Sequence, residues 1–141
     1  MDRVSDWNDK MIADFRENNG QTGRFGNRLV VMHTTGAKSG KTHLIPVLGL
    51  PQGDDGWLVI ASAAGSPKHP GWYHNIVAQP SFELESANTG SIVSQQVSAH
   101  ELTDAEYPAG WAQFAALGDT FVDYEKKTEG RRMPIFKLTK V

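Results

Sequence analysis

The sequence predicts a mainly β fold, a small antiparallel barrel or half-barrel with helices covering its ends. Strand-like runs follow one another from residue 28 to residue 102, without the strand–helix alternation of a doubly wound sheet. Helical periodicity is confined to residues 6–17, a short segment after Pro70, and the stretch after Thr103. No internal repeat or low-complexity segment suggests an array. The 141 residues are read as one domain, 39% hydrophobic with four tryptophans, enough to bury a core.

The elements follow in order. Trp7, Met11 and Phe15 fall four apart with Ile12 beside them, an amphipathic helix over 6–17 whose polar side carries both signs. That charge mixture favours packing on the body of the domain over attachment to a membrane surface. Asn18, Asn19 and Gly20 end it. Arg28–Thr35 reads as a strand, Gly36–Gly40 as a turn, and Thr42–Leu50 as a second strand. Pro46 within it implies a sheet edge, a bulge or a ligand-facing break, because proline has no amide to give to a ladder. A turn at Asp54–Gly56 leads to a third strand, Trp57–Ala63, whose apolar run predicts burial on both faces for part of its length. Pro70 suits the first turn of a helix running to Ala78. Phe82 and Leu84 alternate with Glu83 and Glu85, a half-buried strand. Ser91–Leu102 is a further strand in which Ile92 and Val97 break strict alternation, so a bulge is expected. Thr103 and Glu106 have capping-box spacing ahead of a helix with Tyr107, Trp111, Phe114 and Ala115 on one face. Gly118 ends it, a connecting segment carries Phe121 and Tyr124, and Pro134–Val141 is the last strand.

Composition excludes some chemistry. There is no cysteine, so disulfides and thiolate catalysis are ruled out. The polar start MDRVSDWNDKM resembles no secretory signal, and no apolar run approaches the roughly 20 residues of a membrane span. A cytoplasmic protein is expected. The net charge of -2 argues against broad nucleic-acid binding, and a solvated surface accounts for Lys126, Lys127, Arg131 and Arg132. His33, His43, His69, His74 and His100 form no recognised zinc spacing, and no HExxH occurs. No metal site is expected.

Two segments carry candidate chemistry. Gly36–Thr42 (GAKSGKT) nearly spells a nucleotide-binding P-loop, but its first glycine is one residue out of place and no helix follows. A hairpin with free amides at Lys38, Ser39 and Gly40 can still hold an anion, assisted by Lys38 and Lys41; the alternative is a solvated turn. Ala61–Asn75 (ASAAGSPKHPGWYHN) ends a hydrophobic strand in small residues, which let a flat ring approach the backbone. Ser62 and the amides of Ala63, Ala64 and Gly65 can bond the ring's polar edge, Lys68 adds an anion contact, and Trp72 with Tyr73 can form an aromatic wall. Taken alone, Trp72 on a short helix is more often a core residue than a cofactor contact, and Asn75 reads as a structural hydrogen-bond hub.

Together, RLVVMHTTGAKSGKTHLIPVLGL and WLVIASAAGSPKHPGWYHNIVAQPSF resemble the deazaflavin-dependent nitroreductase family, over about Asn27 to Phe82. The resemblance implies a split β-barrel related to FMN-binding proteins, and the use of coenzyme F420, a deazaflavin. It implies that Lys38, Ser39, Gly40, Lys41 and His43 hold the phosphate and acidic tail, and that Pro46 lies close to the ring. Ala61, Ser62, Ala63, Ala64 and Gly65 would line the ring edge, with Lys68, Trp72 and Asn75 completing the loop side. The chain departs from the family at Ala37, where members often carry a basic residue. The implied activity is hydride transfer from reduced coenzyme F420 to a quinone, nitroaromatic or activated unsaturated acceptor. Ser62 would bond the acceptor or ring edge, and Tyr124 would close the substrate side, unless it is a packing tyrosine. An FMN-dependent oxidoreductase and a non-catalytic F420 carrier are the alternatives. Monomer and homodimer both stay open, as does weak contact of the first helix with the inner face of the membrane.

Overall fold

The structure, a computed structural model, describes residues 3–23, 25–54 and 56–141. The strands are β1 (Leu29–Thr35), β2 (Thr42–Leu48), β3 (Leu50–Gln52), β4 (Gly56–Ile60), β5 (Ser81–Ser86), β6 (Val93–Glu101) and β7 (Ile135–Lys140). The helices are α1 (Arg3–Glu17), α2 (Gly71–Ala78), α3 (Tyr107–Ala115) and α4 (Asp119–Lys127). Among the described residues the strands form one seven-stranded sheet in the order β2-β1-β5-β6-β7-β4-β3, with every pairing antiparallel. This is the mainly β, split-barrel architecture with flanking helices. Pro46 lies in β2, opposite Val31, and β2 is an edge, where a missing amide breaks no second ladder.

The apolar runs of β1 and β4 have one cause. Alternate residues of a strand face opposite ways, so a run without polar breaks needs cover on both sides. Val30, Met32, Trp57 and Val59 join one core with Phe82, Leu84, Phe136 and Leu138, onto which α2 packs Trp72 and Ile76. Leu29 and Val31 face the other way, onto Ile12 and Phe15 of α1. Leu58 and Ile60 face a third cluster with Phe114 of α3. Burying a side chain such as Phe15, which is 0% exposed, stabilises by about 2 kcal/mol and docks α1 on the sheet. The helix stops where Asn19 and Gly20 turn left-handed and the Gly20 amide donates to the Phe15 carbonyl at 2.7 Å.

Several expectations are corrected. The strand expected over Thr42–Leu50 is two, broken at Gly49. The third strand ends at Ile60, and Ala63–Gly65 is a 3-10 turn. No bulge interrupts β6, whose register to β5 runs unbroken from Ser81↔Ser98 to Ser86↔Val93. The segment with Phe121 and Tyr124 is a helix, α4. Glu85 falls on the face expected to be open but is 8% exposed, because Arg16 of α1 covers it. Of the turn expected at Asp54–Gly56, Asp55 lies outside the described residues and Gly56 opens β4.

Candidate functional site

A cleft of about 960 Å³ opens between β2, the loop after β4, the start of α2, α4 and α1. Of the expected site residues, Pro46, Ser62, Ala63, Ala64, Trp72 and Tyr124 line it. β2 brings Pro46 with Ile45, Val47 and Leu48. Its size suits a small molecule, and its lining combines apolar walls with a few polar groups.

The wall at residues 62–64 has an unusual backbone. Ser62 is right-handed, at φ -80, and Ala63 and Ala64 are left-handed, at φ 47 and 53. A right-handed residue followed by a left-handed one is the geometry of a backbone nest, whose successive amides converge on an electronegative atom. Non-glycine residues hold this conformation only when their surroundings impose it. Ala61 and Gly65 stand behind the wall rather than on it. The Ala61 amide donates to the Pro134 carbonyl and its own carbonyl accepts from Arg131, while Gly65 is packed against the Tyr124 backbone. Neither is placed to line a ring edge.

Lys38, Ser39, Gly40, Lys41 and His43 form the exposed β1–β2 turn and its exit, outside the cleft lining. The turn feeds a strand, as its departure from a P-loop requires. The Gly40 amide is not free as expected, since it donates to the Gly36 carbonyl at 2.9 Å. Ser39 and His43 fold over one point, for a Cβ added to Gly36 would lie 2.5 Å from Ser39 Oγ and 3.0 Å from His43 Nε2. Asn75 joins this turn to the cleft. Its Oδ1 accepts the Ala37 amide at 3.0 Å, and it lies one helical step, about 5 Å, beyond Trp72 on α2. Lys68 is exposed and outside the lining. Tyr73 does not join Trp72 in an aromatic wall. It stacks on His69 with centroids 4.2 Å apart, and its hydroxyl donates to Glu101 at 3.4 Å.

A model of the F420H(2)-dependent quinone reductase family matches residues 7–140. The chain belongs to this family. A quinone reductase of the family from Mycobacterium tuberculosis is 30% identical over 132 residues, covering 86% of this chain and 83% of that protein. Among solved structures, the F420-H2 dependent reductase FDR-A aligns with a TM-score of 0.67 at 29% identity, over 79% of this chain and 93% of its own. A chain solved as a domain-swapped dimer aligns with a TM-score of 0.69 at 27% identity, over 95% and 98%. Family membership agrees with the resemblance drawn from the two glycine-containing segments.

Sequence reasoning missed part of this family member's site. Trp7, Asn8, Phe25 and Arg28 also line the cleft, as do Leu117, Thr120 and Phe121. Trp7 is 45% exposed at the start of an otherwise packed apolar stripe, a difference that shows only in the structure. Arg131 was read as solvated surface and is not. Its guanidinium donates to the carbonyls of Ser66 (2.9 Å), Ala61 (3.0 Å) and Ser62 (2.8 Å), and to His69 Nδ1 (3.1 Å). A guanidinium only donates, so Nδ1 must accept and the ring proton sits on Nε2. Burial and the Arg131 charge hold His69 below the ordinary histidine range, which keeps it neutral at neutral pH.

Proposed function

We propose that this chain is a cytoplasmic reductase that binds reduced coenzyme F420 and serves a quinone or a similar activated acceptor. One observation carries the reading. α2 links an apolar cleft to a basic turn through the Asn75–Ala37 bond, so one elongated molecule can lay a flat ring in the cleft and reach the turn with its anionic end. The donor set fits such a group. Lys38, Lys41, Ser39 and His43 offer cations and hydrogen bonds for phosphate or carboxylate. Ala63 and Ala64 offer small side chains, and the nest offers amides for a polar ring edge.

When bound, the reduced coenzyme supplies a hydride, so the protein needs no cysteine, metal or triad. Pro46, Ile45 and Trp72 would sandwich and orient the flat ring, and Trp7, Phe25 and Phe121 would keep water from the acceptor side. A quinone that takes up a hydride also needs a proton and a donor for its developing negative oxygen. Ser62, Thr120 and Tyr124 bring the hydroxyls of the lining, and Ser62 and Tyr124 are the two assigned that role. Among the described residues no helix is long and apolar enough to cross a membrane.

Equilibrium titration of the folded protein with oxidised and reduced coenzyme F420 tests the reading. Binding followed by acceptor-dependent oxidation of the reduced form supports it, and absence of binding rejects it. Stoichiometric yellow flavin in the purified protein would favour FMN instead. The Lys38→Ala, Lys41→Ala double variant should bind about tenfold more weakly with its fold intact, since both lysines are exposed. Unchanged affinity would remove the turn from the site.

A further inference from the structure

The loop from Ala61 to Ser66 is not self-sustaining. It has the Gly65 amide on the Ser62 carbonyl (2.9 Å) and the Ser66 amide on the Ala63 carbonyl (3.0 Å), set against two consecutive left-handed alanines. Something outside the loop must hold it, and Arg131 reaches it from the far end of the chain. Three of its nitrogens hold the carbonyls of Ala61, Ser62 and Ser66, so one rigid plane fixes the residues before, at and after the turn. Its fourth partner, His69, is stacked on Tyr73 and extends the grip beyond the turn. All four partners are neutral, so this cation is spent on backbone position rather than on an ion pair. A lysine could not reproduce the planar fork.

We infer that Arg131 is a positioning residue, which holds Ser62–Ala64 in the nest conformation that meets a flat redox coenzyme in the cleft. The inference rests on the proposed coenzyme site and goes beyond it. Arg131 does not line the cleft, and it holds the turn by its carbonyls while Ser62, Ala63 and Ala64 line the cleft.

The test uses the whole protein with oxidised coenzyme F420 as probe. Arg131→Met should raise Kd about tenfold, with Arg131→Lys between it and the parent. Amide exchange at residues 63–66 should accelerate while β5 is unchanged. Adding Ala63→Gly and Ala64→Gly to Arg131→Met should recover part of the affinity, because glycine adopts the left-handed turn without outside help. Arg132→Met, which removes an exposed cation bound to Asp104 at 2.9 Å, should bind like the parent. Binding by Arg131→Met within about twofold of the parent would overturn the inference and leave the coenzyme site standing. So would equal weakening in Arg132→Met, equal acceleration in β5, or failure of the glycines to restore affinity. A folded parent that does not bind the coenzyme overturns both.

Discussion

Replacing Gly65 by alanine tests how the cleft wall is built. Gly65 has φ +83, and an added Cβ would lie 2.7 Å from the Tyr124 carbonyl oxygen, 2.9 Å from Tyr124 Cα and 3.1 Å from Lys127 Cβ. The two nearest atoms are backbone, so no rotamer change relieves them. α4 must retreat until these contacts reach at least the 3.4 Å of ordinary van der Waals distance. The left-handed conformation costs alanine about 1–2 kcal/mol, and overpacking of this kind typically costs about 1–3 kcal/mol. A loss of about 3 kcal/mol is expected, or roughly 10 °C in Tm for a chain of this size. Because α4 carries Phe121 and Tyr124, coenzyme affinity should fall as well. The neighbouring Ala64→Gly change relieves a left-handed alanine at φ 53 and should leave stability equal or raise it by up to about 1 kcal/mol. Equilibrium denaturation of both variants measures the difference. A Gly65→Ala variant within about 0.5 kcal/mol of the parent would refute the close contact of the turn with α4.

The pair Arg16–Glu85, at 2.8 Å, and the contact of His33 Nε2 with the same carboxylate, at 2.7 Å, fasten α1 to the sheet. Glu85→Gln should cost about 2 kcal/mol in denaturation at neutral pH, because a buried cluster loses its charge. Burial alone would raise the Glu85 pKa, but Arg16 and His33 outweigh it and hold the carboxyl below its ordinary 4.5. The ionised form is therefore favoured by folding. Its contribution is present above pH 4.5 and is lost as pH falls through the lowered folded value, so parent and variant should converge in acid. His69 behaves differently, since its folded pKa lies below 6.5. Below that pH the unfolded chain binds the extra proton first, so stability falls with pH until the folded value is passed. Amide protection factors across residues 61–69, with the intrinsic pH dependence of exchange divided out, should fall as pH drops below 6.5, and His69→Gln should flatten the change.

Features set by local chemistry were legible in the sequence. Pro46 announced a sheet edge, a bulge or a ligand-facing break because its lost amide is a local fact, and the fold takes the edge. The Thr103–Glu106 box forms as spaced, with the Thr103 amide on Glu106 Oε1 at 2.8 Å and the Glu106 amide on Thr103 Oγ1 at 3.3 Å. That backbone bond, followed by the bond to His100, holds the exposed Glu106 carboxyl at about 2. Features set by distant contacts were not legible. DTFVDYEKK is rich in β-branched and aromatic residues, which form helices poorly alone, yet it is α4 because Phe121 packs on Phe114 with centroids 5.3 Å apart. Arg131 was hidden in an Arg-Arg pair, since its carbonyl partners lie 65 to 70 positions earlier in the chain. The cleft-lining face of α1 was hidden because an exposed tryptophan and a packing one look alike in a helical stripe.

Asn75 grips residue 37 by its main-chain amide and leaves the side chain out of the bond. Every residue type except proline carries that amide, so position 37 can be rewritten without unfastening the hairpin from α2. A lysine or arginine there would add positive charge beside Lys38 and Lys41 at no structural expense. The tether thus separates how the turn is held from what it recognises, leaving the latter free to drift between relatives or to be tuned by design.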